Sequence, residues 1–341
     1  MEPGLDCPEN SVYFDMILAG DDGKPRVKRN VSCLFERYAG DVAWRKRSDN
    51  LMESRPKRDL VLRMMAVLGN YDYILDWVFQ QDGSIVVVAG ATGIDATKAV
   101  TERVAGGSGP AGSGRAGSGP AWSAGRPDAY GRFIAENLVG VNHDHFFSFR
   151  LDLDVDGPVN SLEIDHLVTK RLPEDHPRRS VWVVEPSLPG SEADAKLRID
   201  LEHPALWRVI NSTTDNGLGY PVSYQLVAGA NAVSLMDRDD YPQMRAGFTD
   251  YHVWVTPYRA DERHAAGLYP TLSEPGQGLP AWTSADRPIR DTDIVVWYTM
   301  GFHHVPRPED WPVMPTVRKS FELRPYGFFD RNPALDLPAR P

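Results

Sequence analysis

The chain is poor in cysteine and has no long apolar run, and each absence narrows the class of protein. Its only cysteines are Cys7 and Cys33 in 341 residues. Two buried free thiols are the default for an intracellular protein, and the spacing alone leaves open whether the two residues pair. No apolar run approaches the roughly 20 residues of a membrane-spanning helix, and no signal peptide is visible at the start. We therefore expect a soluble, cytoplasmic protein with no membrane partner.

The chain also lacks an excess of positive charge. It has 37 lysine and arginine residues against 47 aspartate and glutamate residues, which gives a net charge of −10. This balance argues against a nucleic-acid partner and fits an acidic protein that attracts cationic substrates. The hydrophobic content of 42% is ordinary for a globular chain, and a chain of this length can bury a large core in one domain or two.

Helical periodicity is scarce as well, and strand patterns fill most of the chain. Apolar or alternating runs are separated by glycine-rich turns and by many of the 28 prolines, a pattern typical of an all-β protein built as a sandwich. The segment 80–84 contains Asp-Gly, which predicts a hairpin turn between two strands. The predicted strands cover 60–67, 74–79, 85–89, 146–155, 181–184, 251–255 and 294–298.

One segment departs from this pattern. Residues 105–127 repeat glycine, serine, proline and alanine. Such a segment cannot bury enough apolar surface to offset its ordering entropy, so we predict a flexible surface loop. Candidate site residues lie on both sides of it, which disfavours a domain boundary there. We therefore interpret it as an insertion into a single domain that spans 1–341.

Three histidines and a tyrosine are candidates for a metal site. His143 and His145 are two residues apart in a strand-like run, so their side chains share one face of the strand. Tyr71 lies in an Asn-Tyr-Asp-Tyr sequence, and His304 lies far down the chain. Imidazole ligands with open positions suit Cu(II), although three histidines also suit zinc. Taken singly, a His-x-His pair more often lies exposed on the surface than binds a metal, and a buried tyrosine is more often a core residue than a cofactor precursor.

The sequence around these residues resembles that of the copper amine oxidases, from about Asp6 to about Pro338. The resemblance is most specific at the family's copper motif, which reads here Thr299-x-Gly301-x-x-His304-Val305-x-x-x-Glu309-Asp310-x-Pro312. It implies that copper is bound by His143, His145 and His304 and that His303 is not a ligand. It also implies a large antiparallel β-sandwich that forms a homodimer.

The resemblance further implies an organic cofactor and a reaction. The family's tyrosine in this motif becomes topaquinone through copper and O₂, which assigns Tyr71 as the precursor and Asn70 as a residue that leaves room for the ring and for hydrogen bonding. The implied reaction oxidises a primary amine to an aldehyde and releases H₂O₂ and ammonia. A disulfide between Cys7 and Cys33 is implied as well, and its closed loop would contribute about 3 kcal/mol to stability.

A second metal site is implied next to the copper motif. Relatives bind calcium or a similar divalent ion through two aspartates, the carbonyl between them, and a further aspartate with the carbonyl that follows it. Oxygen-only ligation of this kind suits Ca²⁺. On the residues alone, a solvated acidic edge is the alternative. The corresponding residues here are Asp152, Leu153, Asp154, Asp293 and Ile294.

The resemblance also raises an expectation about what the 341 residues lack. In relatives the aspartate that removes the substrate proton lies upstream of the turn at which this chain begins, together with small N-terminal domains and the first part of the catalytic domain. We expect the base to be absent from this chain or supplied by a separately encoded N-terminal chain. The alternatives are a copper-binding relative that performs another O₂-dependent oxidation and a copper-binding protein without catalysis.

Overall fold

The computed structural model describes residues 1–48, 51–105 and 126–338. Within these ranges the chain consists mainly of β-strands, with two short α-helices and several 3₁₀ turns. The insertion predicted at 105–127 lies outside the described residues except at its two ends. That loop and the assignment of a single domain to 1–341 therefore stay predictions.

The described residues form sixteen strands joined by short connections. The two α-helices, α1 (Tyr241–Arg245) and α2 (Leu279–Trp282), are each about one turn long, and none in this part of the chain is long and apolar enough to cross a membrane. The 3₁₀ turns cover Ala193–Ala195, Gly247–Asp250, Pro270–Leu272, Thr283–Ala285, Pro308–Asp310 and Pro333–Asp336. In chain order the strands are β1 Val12–Ala19, β2 Pro25–Ser48, β3 Leu51–Leu68, β4 Tyr71–Gln80, β5 Ile85–Gly93, β6 Thr97–Ala99, β7 Gly131–Ala135, β8 Leu138–Val141, β9 His143–Asp152, β10 Ser161–Arg171, β11 Ser180–Ser187, β12 Ala205–Asp215, β13 Pro221–Val227, β14 Val253–Pro257, β15 Ile294–His304 and β16 Met314–Tyr326.

The strands form three antiparallel sheets. Ten strands pair in the order β1-β2-β3-β4-β5-β16-β13-β12-β10-β11, three in the order β14-β15-β9, and three in the order β6-β8-β7. The main core lies between the first two sheets, where Val87 and Phe321 meet Val296 and Tyr298. The rings of Tyr298 and Phe321 are 4.7 Å apart between centroids. Two sheets that share one core confirm the predicted antiparallel β-sandwich.

Each predicted strand has a counterpart, but two bounds were predicted wrongly. The strand predicted at 251–255 corresponds to β14, which begins only at Val253. The segment predicted at 146–155 belongs to β9, which ends at Asp152. Beyond it, the Val155 N–H donates to the Leu153 carbonyl at 3.0 Å, and Asp156 takes a positive φ of 51°. The chain therefore turns at this point, and Asp154 does not share a strand face with Asp152.

A disulfide joins Cys7 to Cys33, as the family resemblance implied. Both cysteines are buried in a small cluster with Phe35, Val61 and Val78. The bond ties the first turn of the chain to β2, so the start of the described chain is held against the ten-stranded sheet. The alternative of two free thiols is excluded in this structure.

Candidate active site

The register between β9 and β15 brings three histidines together. His304 lies directly opposite His143, and Phe302 lies opposite His145. Residues opposite each other on antiparallel strands share a face of the sheet, and residues two apart on one strand share it too. The three imidazoles therefore point to one place, and each offers a ring nitrogen within 4.8 Å of the others.

Close packing of the two strands at this point requires a glycine. A Cβ on Gly301 would lie 2.3 Å from Phe146 Cδ1 and 2.8 Å from the carbonyl oxygen of His145. The Gly301 N–H donates to Asn231 Oδ1 at 2.7 Å, which gives β15 a partner beyond the end of its pairing with β14. Gly301 and Asn231 together fix the path of the strand that carries His304.

Partners on the far side of the imidazoles determine which nitrogens face the cluster. His143 Nδ1 lies 2.7 Å from the Val141 carbonyl oxygen, so Nδ1 carries the proton and Nε2 keeps its lone pair. His304 Nε2 lies 3.3 Å from the Asp310 carboxylate, so its Nδ1 faces inward. His145 Nε2 also faces inward, 3.0 Å from His143 Nε2. The inward atoms are thus two Nε2 nitrogens and one Nδ1 nitrogen.

His145 is held in its neutral form. Its ring stacks on Phe302 at 4.8 Å between centroids, and its Nδ1 lies 3.0 Å from the Tyr73 hydroxyl. Burial, followed by the charges of His143 and His304, lowers the pKa of His145 to about 4. A neutral imidazole can donate its lone pair to a metal, so this residue stays a competent ligand in mildly acidic solution.

Tyr71 faces the histidine cluster from the ten-stranded sheet. It follows the two-residue turn of Gly69 and Asn70, with Gly69 at a φ of 63°, as expected for a tight hairpin turn that begins with glycine. Its side chain is buried. The hydroxyl oxygen lies 2.8 Å from His143 Nε2 and accepts the Ala96 N–H at 3.1 Å. The turn therefore places the Tyr71 phenol within hydrogen-bond distance of the inward-facing nitrogen of His143.

A buried carboxylate completes the surroundings of Tyr71. The Tyr71 hydroxyl donates to Asp95 Oδ1 at 2.8 Å, and Asp95 is 0% exposed. Burial and this hydrogen bond raise the pKa of Tyr71 well above its usual range, so the ring is held as the phenol. Asp95 Oδ1 also lies 3.8 Å from His304 Nδ1.

Sequence reasoning gave no role to three residues that contact the cluster: Asp95, Asp310 and Tyr73. Asp310 is a fixed position of the copper motif, and Tyr73 is the second tyrosine of Asn-Tyr-Asp-Tyr, so the sequence offered a reason to assign both residues to the site. Asp95 could have been noticed only as a charged residue two positions after the end of the apolar strand β5.

His303 and Asn70 lie next to the predicted site residues but do not place their side chains in the histidine cluster. His303 points away from the cluster and pairs with Asp144, with 2.7 Å between Nδ1 and Oδ1, in keeping with its exclusion as a ligand. Asn70 contributes its backbone, whose carbonyl accepts the Ile94 N–H at 2.9 Å. This bond ties the loop after β5 to the turn before Tyr71.

The three aspartates of the second predicted metal site lie close together, and the site itself stays a prediction. The carboxylates of Asp152, Asp154 and Asp293 have oxygens within 4.8 Å of one another, although Asp154 lies beyond the end of β9. Asp293 Oδ1 is buried with no protein hydrogen-bond partner. Burial, then the charges of Asp152 and Asp154, raise the pKa of Asp293. Leu153 and Ile294 adjoin these aspartates along the chain.

An open cavity reaches the histidine cluster from the surface. Its volume is about 580 Å³, and its lining includes His143, His304, Leu235, Met236 and Gln243. His143 and His304 thus lie in the same cavity surface as the apolar side chains of Leu235 and Met236. A small molecule can therefore approach the cluster through it.

Comparisons with known sequences agree with this geometry. A family model described as the copper amine oxidase enzyme domain matches residues 1–341. The copper-containing amine oxidase gamma 1 of Arabidopsis thaliana is 44% identical over 340 residues, which cover 98% of this chain and 46% of that protein. Another Arabidopsis relative, alpha 2, is also 44% identical, over 98% of this chain and 48% of that protein, and is described as peroxisomal. The cytoplasmic location of this chain stays a prediction.

Two solved structures with the same fold are described as amine oxidases. The copper-containing benzylamine oxidase from Hansenula polymorpha superposes with a TM-score of 0.84 at 29% identity, over 96% of this chain and 48% of that one. The Aspergillus nidulans amine oxidase gives a TM-score of 0.82 at 24% identity, over 98% of this chain and 43% of that one, and supports the fold alone.

The chain spans about half the length of the curated relatives that it matches. In those relatives the matched stretch is part of one longer chain, which gives no support to a separately encoded N-terminal chain. The family model nevertheless matches every residue from 1 to 341, and relatives share 44% of the residues across nearly the whole length. The chain belongs to the copper amine oxidase family.

Proposed function

We propose that this chain carries the copper and quinone centre of an enzyme that oxidises a primary amine with O₂ to an aldehyde, H₂O₂ and ammonia. The observation that carries the proposal is the 2.8 Å contact between the Tyr71 hydroxyl and His143 Nε2, beside two further imidazoles. An oxidisable ring at a metal site is what such an enzyme requires. Relatives named as primary amine oxidases support the same reaction for the whole protein.

The donor set fits copper. Nε2 of His143, Nε2 of His145 and Nδ1 of His304 would hold the ion, and nitrogen ligation with further positions open suits Cu(II). The Val141 carbonyl and the Asp310 carboxylate hold two of these rings from behind. Such outer contacts orient metal ligands and raise their basicity.

The residues around Tyr71 protect the ring and restrict its motion. Ala91, Phe302 and Met314 pack with it in one buried cluster, and this apolar wall excludes bulk water from one side of the ring. Copper and O₂ would supply the oxidation of the ring to topaquinone, which accepts two electrons from the amine. The cavity beside His143 and His304 gives a small molecule access to the histidine cluster.

The proposal is tested by adding Cu(II) to the copper-free chain in air. We expect one copper per chain, a visible absorbance band, a positive quinone stain, and a Tyr71 peptide that has gained two oxygen atoms and lost two hydrogens. Tyr71→Phe should bind copper without the band. His304→Ala should lose copper while the fold is retained. An unmodified Tyr71 after prolonged exposure to copper and air would contradict the proposal.

Amine turnover is tested separately. H₂O₂ release is measured with benzylamine, tyramine and phenylethylamine, because the described residues do not distinguish among amines. Tyr71→Phe is the matched control, since it lacks only the hydroxyl. Equal H₂O₂ release by the native chain and by this variant would contradict a quinone-dependent oxidation and favour another reaction at copper.

We propose in addition that Asp152, Asp154 and Asp293 bind a structural calcium or similar ion, with the carbonyls of Leu153 and Ile294. Among the residues that the structure describes, these carboxylates form one salt bridge, between Asp152 and Arg150 at 3.1 Å. The unpaired buried oxygen of Asp293 and the three neighbouring negative charges support a hard cation with oxygen ligands.

We also propose that the whole protein acts as a homodimer, the usual state in this family. Exposed apolar side chains on the hairpin of β10 and β11 and the loop beyond it support a covered surface there. Trp182 is 69% exposed and Leu201 is 90% exposed. Light scattering on the native chain and on Trp182→Glu tests this, and a monomeric native protein would contradict it.

A further inference from the structure

Asp95 is a fully buried carboxylate that the proposed function does not yet use. It lies in the connection between β5 and β6, and its Oδ1 accepts the Tyr71 hydroxyl hydrogen at 2.8 Å. Its Oδ2 is buried without a hydrogen-bond partner among the described residues. A buried carboxylate is costly unless it is paired, so its position calls for a specific role at the site.

The backbone around Asp95 is fixed on both sides. Before it, the Ile94 N–H donates to the Asn70 carbonyl at 2.9 Å. After it, the Val141 N–H donates to the Ala96 carbonyl at 2.9 Å. The connection is thus held both to the turn before Tyr71 and to the end of β8. The backbone that carries the carboxylate cannot move away from the phenol without breaking one of these bonds.

The Tyr71 hydroxyl has one hydrogen and two acceptors at equal distance. Asp95 Oδ1 and His143 Nε2 each lie 2.8 Å from its oxygen. A metal on His143 would occupy the lone pair of Nε2 and remove that acceptor. Asp95 would then be the acceptor that remains for the hydroxyl hydrogen, while the Ala96 N–H continues to donate to the hydroxyl oxygen at 3.1 Å.

We propose that Asp95 is a positioning residue that holds the Tyr71 hydroxyl beside the metal and thereby sets the rate at which the ring is oxidised. This inference rests on the proposed function. The oxidation consumes two molecules of O₂ per ring: two oxygen atoms enter the ring, and the other two leave with the two hydrogens that the ring loses, as H₂O₂. Asp95 exchanges no atoms in this balance, because its part is to keep one oxygen of the ring in place.

The first test needs no oxidation of the ring. Amide hydrogen exchange of Ala96 is measured in the chain loaded with Zn(II), which suits three histidines and would occupy His143 Nε2 without oxidising Tyr71, because the Ala96 N–H donates to the Tyr71 hydroxyl. Asp95→Leu keeps a similar shape without an acceptor and should lower the protection of Ala96 by about tenfold or more. The amides of Ile94 and Val141 should keep their protection, since their partners are backbone carbonyls. Native protection of Ala96 in Asp95→Leu would overturn the proposal, and a loss of protection at all three amides would show a structural role instead.

The second test follows the oxidation after Cu(II) is added in air. With Cu(II) in excess, Asp95→Leu should reach the native copper content but form the quinone about tenfold to 100-fold more slowly. Asp95→Asn keeps an uncharged acceptor and should recover much of the native rate. A native rate in Asp95→Leu at native copper content would overturn the proposal.

The two tests separate this inference from the proposed function. If the native chain never oxidises Tyr71, the proposed function fails, and Ala96 exchange still decides whether Asp95 holds the hydroxyl. If Asp95→Leu does not fold, Asp95→Asn replaces it. That variant should show intermediate protection of Ala96 and slower oxidation than the native chain, and native values for both would overturn the proposal.

Discussion

Replacement of Asp310 should weaken copper binding although Asp310 does not face the metal. Its Oδ2 lies 3.3 Å from His304 Nε2 and accepts the Arg307 N–H at 2.9 Å, while Oδ1 accepts from the Arg307 guanidinium at 3.0 Å. Burial alone would raise the pKa of Asp310, but the hydrogen bonds from Arg307 and His304 outweigh it and lower this pKa. Asp310 is therefore a carboxylate, and it holds the proton of His304 on Nε2 so that Nδ1 is free for the metal.

The size of the effect follows from these contacts. Loss of a partner behind a metal-binding histidine typically costs about tenfold to 100-fold in affinity, or about 1.4–2.7 kcal/mol. Asp310→Asn keeps one acceptor oxygen for His304 and should lie at the lower end. Asp310→Ala leaves both His304 Nε2 and the Arg307 N–H without this partner and should lie at the upper end.

The assay is a competitive titration of copper against a chelator of known affinity, with circular dichroism to verify the fold. Glu309→Gln is the matched control, because it removes an adjacent carboxylate that is exposed. It should leave the affinity unchanged. If Asp310→Ala folds and binds copper within about twofold of the native chain, the reasoning about the His304 tautomer is refuted.

Three further outcomes are expected from other parts of the structure. Gly301→Ala should lower the free energy of unfolding by about 1–3 kcal/mol and weaken copper binding, because its Cβ would lie 2.8 Å from the His145 carbonyl oxygen. Urea unfolding and copper titration measure the two effects. Gly190→Ala is the control and should change neither quantity, because its Cβ would meet only an atom at 3.8 Å. Removal of calcium by chelation should lower the melting temperature while copper is retained, and Asp152→Asn should abolish that response, whereas the neighbouring Asp156→Asn should preserve it. Because the pKa of His145 is lowered to about 4 in the folded chain, the unfolded chain binds the extra proton between about pH 6.5 and pH 4. The copper-free chain should therefore lose up to about 3 kcal/mol of stability as the pH falls through that window, and His145→Phe should remove this part of the slope in urea unfolding at stepwise pH.

The fold and the histidine cluster could be predicted because their causes are local or repeat along the chain. Alternation in strands reports which face is buried, and a two-residue spacing puts His143 and His145 on one face whatever the rest of the fold does. His304 required a longer motif, since only the register of β15 against β9 brings it opposite His143. The alternation of apolar and polar residues within a strand does not show which residues of another strand lie opposite, so it could not predict this register.

The end of β9 shows where local patterns fail. Alternation continues through Leu153 and Val155, so the sequence predicted a strand to residue 155. In the structure the side chain of Val155 is buried in the core, but its backbone bonds locally to Leu153. An alternating pattern records burial of side chains, and a turn can bury the same side chains without a strand partner.

The role of Asp95 could not be predicted for a different reason, which concerns the balance of charges around the histidine cluster. The carboxylate of Asp310 is matched by Arg307 at 3.0 Å, and histidines that bind a metal ion do so as neutral imidazoles. Within the described part of the chain, Asp95 forms its hydrogen bond with a hydroxyl, and the basic side chain that contacts it is His304, with 3.8 Å between Asp95 Oδ1 and His304 Nδ1. A divalent ion bound by the three imidazoles would add positive charge beside it, which makes the burial of Asp95 far less costly. Sequence patterns distinguish polar from apolar residues but do not show which buried charge has a partner, so the importance of Asp95 became evident only from its contacts.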